Sequence, residues 1–269
     1  GFEVDFAPVD EEGFVDVEAL SGLIRPDTIL ISVMAVNNEI GSIQPIEAIS
    51  ELLADKPTIS FHVDAVQALA KIPTEKYLTE RVDFATFSSH KFHGVRGVGF
   101  VYIKSGKKIT PLLTGGGQER DYRSTTENVA GIVATAKALR LSMEKLDIFT
   151  SKTGQMKAVI RQALLDYPDI FVFSDEKDFA PHILTFGIKG VRGEVIVHAF
   201  EDYDIFISTT SACSSKAGKP AGTLIAMGVD KDKAQSAVRL SLDLENDMSQ
   251  IEQFLTKLKL IYNQTRKVR

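Results

Sequence analysis

The chain has 269 residues, 44% of them hydrophobic and 25% charged, with 31 Lys plus Arg against 36 Asp plus Glu. That is ordinary globular composition, so disorder, collagen and coiled coil are set aside, and the net charge of −5 argues against a nucleic-acid protein. One cysteine excludes an intrachain disulfide and fits a reducing compartment. No apolar run reaches the roughly 18 residues of a membrane helix, and no signal peptide precedes residue 1. The expectation is a soluble cytoplasmic protein.

Strands are predicted at Thr28–Val36, Thr58–Val63, Phe84–Phe87 and Val98–Lys104. These runs are rich in Val, Ile and Phe at successive positions, as in strands buried on both faces. A helical pattern of Ile46, Ile49, Leu52 and Leu53 separates the first two and stops before Pro57. The strand–helix–strand rhythm predicts an α/β domain with a mainly parallel sheet, whose ligands bind at the carboxyl ends of its strands. Helical patterns follow over 129–146 and 151–165, and a boundary is placed between residues 147 and 148. The remainder, 148–269, is predicted to be a smaller α/β domain. Its strands are expected at Ile170–Ser174, His182–Gly187, Ile205–Ser208 and Ala237–Leu242, with a closing amphipathic helix over 249–265.

Several segments could carry chemistry. Asn37 and Asn38 end a strand, either as turn residues or with an amide aimed into a crevice. Asp64 in HVDAVQ could cap a helix, with Gln67 completing a capping box. It could instead hold a protonated heterocycle, which would keep the carboxylate ionised. Lys91 follows the strand Phe84–Phe87 and is a surface charge or a carbonyl-attacking amine; Ser88 and His90 are donors suited to a phosphate. An Asp and a Lys at successive strand ends are what a pyridoxal phosphate (PLP) site needs. The glycines of LTGGGQERDYRSTTE match no nucleotide fingerprint. Cys213 lies among Ser, Thr, Gly and Lys, a setting for an exposed thiolate rather than a core residue. Arg239, inside an apolar strand, needs a carboxylate from the protein or from a substrate. No metal-ligand set is nominated.

Six segments, VNNEIG (36–41), HVDAVQ (62–67), DFATFSSHKFHGVRGVG (83–99), GGGQERDYRSTTENV (115–129), TSACSS (210–215) and AVRLSL (237–242), resemble the NifS/IscS-type cysteine desulfurases. These are PLP enzymes of the class V aminotransferase group. The motifs keep the family's order and span the chain to about residue 260. The resemblance implies the aspartate aminotransferase-like fold type I. Residues 1–147 would be the carboxyl-terminal part of the PLP-binding large domain, and 148–269 the small domain carrying the cysteine loop. It also implies removal of sulfur from L-cysteine, giving L-alanine and a persulfide.

By the same resemblance Lys91 looks like the cofactor-bonding lysine and Asp64 like the partner of the ring nitrogen. Gln67 and Asn37 look like groups near the phenolic oxygen, Asn37 also lying near the substrate carboxylate. Ser88 and His90 look like phosphate ligands, and Thr126 like a phosphate contact donated across a homodimer. Arg239 looks like the substrate carboxylate clamp and Cys213 like the sulfur acceptor. The partners implied are L-cysteine, a second copy of the chain, and iron–sulfur scaffold or thiolation proteins. No match exists to the family's amino-terminal phosphate loop or ring-stacking histidine. After AVRLSL the chain reads Asp243-Leu244, where the family has Gly-Arg. Two other readings are a selenocysteine lyase or other class V aminotransferase, which would not need Cys213, and an inactive fragment serving as a binding or dimerisation module.

Overall fold

Runs of Val, Ile and Phe build two separate four-stranded sheets in the computed structural model, which describes residues 1–210 and 222–267. The chain divides into two compact units. One comprises Pro26–Ala35 and Ile46–Leu146; the other comprises Gly1–Arg25, Val36–Pro45 and Asp147–Arg269. Two amino-terminal segments thus group with the carboxyl-terminal unit, which a single cut along the sequence does not separate. Among the described residues no helix is long and apolar enough to cross a membrane.

In the first of these units, β1 (Leu30–Met34), β2 (Ser60–Asp64), β3 (Phe84–Ser88) and β4 (Gly99–Ile103) lie side by side in that order. β1, β2 and β3 are parallel, and β4 runs antiparallel to β3. This is the α/β arrangement expected, with α2 (Ile46–Leu52) between β1 and β2 and α3 (Val129–Met143) after β4. The strands are not buried on both faces, however. Phe61, Val63, Ala85 and Phe87 are buried, whereas His62, Asp64, Thr86 and Ser88 alternate with them on a partly open face. Side chains alternate across a strand, so these polar residues all point the same way.

Beneath the sheet edge sits a buried carboxylate. Asp83 accepts from the Phe61 amide at 2.9 Å and pairs with Arg81 at 2.7 Å and Lys107 at 3.2 Å. Burial alone would raise its pKa, but the amide and the two cations outweigh that and hold it below the usual value.

The other unit holds an antiparallel sheet in the order β5 (Ile170–Val172), β6 (Ile183–Ile188), β8 (Ala237–Ser241), β7 (Ser208–Thr209). β6 is buried at every position. The sheet packs with α4 (Leu146–Leu165), α5 (Gly193–Glu201) and α8 (Met248–Lys267) around Ile160, Phe186, Ile196, Phe200, Val238 and Phe254. Clusters of this kind supply most of a domain's stability, at about 25 cal/mol per Å² of apolar surface removed from water. Short helices α1 (Val17–Leu23), α6 (Gly222–Ala226) and α7 (Lys231–Gln235) complete the unit.

Segment Val36–Pro45 is stitched by its backbone to the loop between β5 and β6. The Ile40 carbonyl accepts from Ser174 Oγ at 2.5 Å, and the Gly41 carbonyl accepts from the Ala180 amide at 2.7 Å. Gly41 has φ +88°, and a Cβ there would lie 3.0 Å from the Ile183 side chain. Only glycine meets both demands without strain.

Candidate functional site

The residues singled out from the sequence fall into two groups, one in each unit. Asp64, Gln67, Ser88, His90, Lys91 and Thr126 belong to the unit with the parallel strands, and Asn37 and Arg239 to the other. Cys213 lies outside the described residues.

Asp64 ends β2 and Ser88 ends β3. The two strands are parallel with Asp64 opposite Thr86, so both residues reach the same edge of the sheet. Asp64 is exposed, and its Oδ1 accepts only the Val66 amide, at 3.0 Å. The segment after it forms a series of tight turns rather than an α-helix. The expected capping box therefore does not form: the carboxylate makes a local turn with the residue two ahead, and Gln67 stays partly exposed.

Lys91 lies in a 3₁₀ turn, Ser89–Phe92, that follows β3 directly. Ser89 and Phe92 are buried, while His90 is exposed and Lys91 partly so. The turn is held from several sides. Ser89 Oγ pairs with Thr135 Oγ1 at 2.9 Å, the Ser89 carbonyl accepts from the Gly94 amide at 2.9 Å, and the Phe92 carbonyl accepts from Ser142 Oγ at 3.1 Å. Lys91 is thus a long flexible side chain on a fixed base. Among the described residues neither its ammonium nor the Asp64 carboxylate has an ion-pair partner. Thr126 is exposed in the loop before α3, which Asn128 caps by accepting from the Gly131 amide at 3.0 Å.

Residue His62, not singled out from the sequence, sits on the same strand face as Asp64. Its Nδ1 lies 2.7 Å from Ser32 Oγ and its Nε2 3.1 Å from Thr86 Oγ1, so one imidazole ties three strands together. Burial lowers its pKa, against the opposing pull of Asp64. The period-2 alternation in SFHVD carries the signal, which a reading of the run as uniformly apolar hides.

In the other unit Asn37, Glu39, Thr223 and Arg239 form one cluster. Asn37 is buried, and its Oδ1 accepts from the amides of Glu39 at 2.8 Å and Ile40 at 3.0 Å. Its Nδ2 donates to Thr223 Oγ1 at 3.2 Å. The turn reading of Asn37 is thus the one its oxygen realises, and among the described residues its second N–H has no hydrogen-bond partner. Arg239 on β8 donates from Nη1 to the Asn38 carbonyl at 2.6 Å. Among the described residues its Nε is buried without a hydrogen-bond partner, a donor that a carboxylate could satisfy.

The donor set of the first group fits PLP. Among the described residues a carboxylate without an ion-pair partner suits a protonated ring nitrogen, a primary amine without one suits an aldehyde, and the Ser88 hydroxyl and exposed His90 suit a phosphate.

Comparison with known proteins bears on the same chemistry. A family model described as aminotransferase class-V matches residues 1–254. A NifS/IcsS protein homolog of Lactobacillus delbrueckii is 50% identical over 269 residues, which is all of this chain and 70% of that protein. A cysteine desulfurase IscS of Clostridium botulinum is 40% identical over 272 residues, covering 100% of this chain and 68% of its own length. A solved NifS-like protein superposes with a TM-score of 0.88 at 37% identity, over 98% of this chain and 69% of that one. A structure of SspA in complex with cysteine gives a TM-score of 0.73 at 26% identity, over 90% of this chain and 67% of its own.

Proposed function

Since the chain belongs to the class V aminotransferase family, we propose that it is a PLP-dependent cysteine desulfurase in which the residues above take the following roles. PLP, when bound, supplies an electron sink for charge developing at the substrate's α-carbon. Lys91 holds the cofactor covalently and, as a free amine, takes the α-proton at Nζ. Asp64 keeps the ring nitrogen protonated by offering its carboxylate. Gln67 and Asn37 donate towards the phenolic oxygen. Ser88 and His90, with Thr126 of a second copy of the chain, hold the phosphate. Arg239 takes the substrate carboxylate on its Nε edge.

Sulfur transfer requires a thiolate. Cys213 attacks the sulfur of L-cysteine; an S–S bond forms, the C–S bond breaks, and its electron pair stays on carbon, which is then protonated. L-Alanine leaves and Cys213 remains as a persulfide, with no outside oxidant consumed. The reading extends to a cytoplasmic homodimer that passes sulfur to acceptor proteins of iron–sulfur assembly or thiolation. That part rests on the resemblance of the motifs.

The observation that carries the reading is the placement of Asp64 and Lys91 at neighbouring parallel strand ends, both without an ion-pair partner among the described residues. Borohydride reduction in the presence of PLP, followed by peptide mapping, tests it. A pyridoxyl group on Lys91 is expected, and Cys213→Ala should keep that adduct while losing persulfide formation from L-cysteine. Adducts scattered over surface lysines, or unchanged sulfide yield in Cys213→Ala, would refute it.

A further inference from the structure

Glu39 lies two residues after Asn37 and directly follows Asn38, whose carbonyl accepts from Arg239. Its main chain is fixed, since its carbonyl accepts from Thr185 Oγ1 at 2.5 Å and its amide donates to Asn37 Oδ1. Thr185 in turn stands directly opposite Arg239 across β6 and β8. The Glu39 carboxylate accepts from the Thr223 amide at 3.2 Å. The hydroxyl of the same threonine accepts from Asn37 Nδ2 at 3.2 Å. One threonine therefore locks the asparagine to the glutamate.

The carboxylate also acts on Arg239 electrostatically, yet the two form no direct ion pair among the described residues. This division has a consequence for binding. A carboxylate paired directly with the guanidinium would occupy the edge that a substrate carboxylate needs. One held on Thr223 supplies counter-charge and leaves the buried Nε without a partner among the described residues. Burial disfavours the Glu39 charge and raises its pKa, with Thr223 and Arg239 offsetting only part of that cost.

We infer that Glu39 is a positioning residue for substrate-carboxylate recognition, orienting Arg239 by its charge and Asn37 through Thr223. This rests on the proposed reading of Arg239 as the carboxylate clamp. The test uses the PLP-loaded protein with Glu39→Gln, Glu39→Ala, Thr223→Val and Arg239→Lys. It measures KM and kcat for L-cysteine, the Kd for L-alanine by spectral titration, and thermal unfolding.

Glu39→Ala should raise KM and the L-alanine Kd about 10-fold with kcat within about threefold, the pattern of lost uniform binding. Glu39→Gln keeps an acceptor for Thr223 and loses only the charge, so it should give a smaller rise of about three- to fivefold with an unchanged melting temperature. Thr223→Val separates the Asn37 lock from the charge and should move the Kd less than Glu39→Ala. If Arg239→Lys weakens L-alanine but both Glu39 variants stay within about twofold of the parent, the inference on Glu39 is overturned and the clamp stands. If Arg239→Lys leaves the Kd unchanged, the clamp reading fails and the inference falls with it.

Discussion

Gly94 and Ser89 are packed so closely that a Cβ on Gly94 would lie 2.9 Å from the Ser89 carbonyl oxygen and closer still to the Ser89 hydroxyl. The same two residues share a backbone hydrogen bond of 2.9 Å across the turn that carries Lys91. Gly94→Ala must push Ser89 off Thr135 or open the turn. Overpacking of this kind costs about 1–3 kcal/mol. The variant should melt at lower temperature, and it should lose pyridoxyl labelling of Lys91 more steeply than it loses stability, because the base of that side chain moves. Labelling equal to the parent in a destabilised variant would show that the turn does not set the lysine's position.

Asp83 ties β2 to the cations Arg81 and Lys107 with its side chain almost wholly buried. Asp83→Asn leaves two cations beside a neutral amide, and breaking a buried pair in this way costs about 3–5 kcal/mol. The sign of the pH effect follows from the lowered pKa. Stability from this carboxylate is fully present above the unfolded value near 4 and is lost as pH falls through the lower folded value. Urea unfolding should therefore show the parent losing its advantage over Asp83→Asn only below about pH 4. An advantage constant down to pH 2 would rule out the ionised carboxylate as its source.

His62 predicts a second step in acid. Its pKa is lowered by burial, with Asp64 pulling the other way. The unfolded chain then binds the extra proton first, so stability falls as pH drops below the unfolded value of about 6.5. His62→Gln keeps hydrogen-bonding capacity toward Ser32 and Thr86 without a titrating ring. It should flatten the stability profile just below about pH 6.5. A profile identical to the parent's would assign that slope to other groups.

Strand positions were legible in the sequence because Val, Ile and Phe cluster at short spacing. β2 and β3 fall within two residues of expectation at each end. What the composition of those runs concealed was the polar face. His62 and Thr86 fall inside runs that read as apolar, yet each stands on the side that alternation leaves open. In the second sheet β6 and β8 fall within one residue of expectation at each end, whereas β5 and β7 fill only part of their expected runs, being three and two residues long and too short for a periodic signal.

The cluster around Arg239 could not be found by spacing at all. The arginine's demand for a partner was legible, but the partner is the backbone carbonyl of Asn38, 201 positions away. A main-chain oxygen has no residue type to search for. Gly41 shows the same limit: its place in VNNEIG is visible, but the reason, contact with Ile183, exists only after folding. The motifs that led to the family therefore included residues whose physical tasks could be read only from the structure.

Lys157 gives the last prediction, and its sign reverses with pH. The side chain is buried on α4, donates to the Ala180 carbonyl at 3.0 Å, and sits over the Phe179 ring. Burial, together with the nearby Arg161 charge, lowers its pKa from 10.5 to about 8, against the pull of Asp175 and Glu176. Between those two values the unfolded chain binds more protons, so stability rises with pH across that window. Below about pH 8 the native state carries the full penalty of a buried charge, on the order of 3 kcal/mol at 1.36 kcal/mol per pH unit. Lys157→Met removes that penalty but leaves the Ala180 carbonyl unsatisfied, which costs about 1–3 kcal/mol. At pH 7 the variant should thus equal or exceed the parent in stability. Above about pH 10 the parent lysine is neutral when folded and keeps its hydrogen bond, so the variant should become the weaker of the two. Denaturant midpoints measured pairwise from pH 6.5 to 10.5 should cross. A variant weaker at every pH by a constant amount would mean that packing and the hydrogen bond, not the buried charge, dominate at this position.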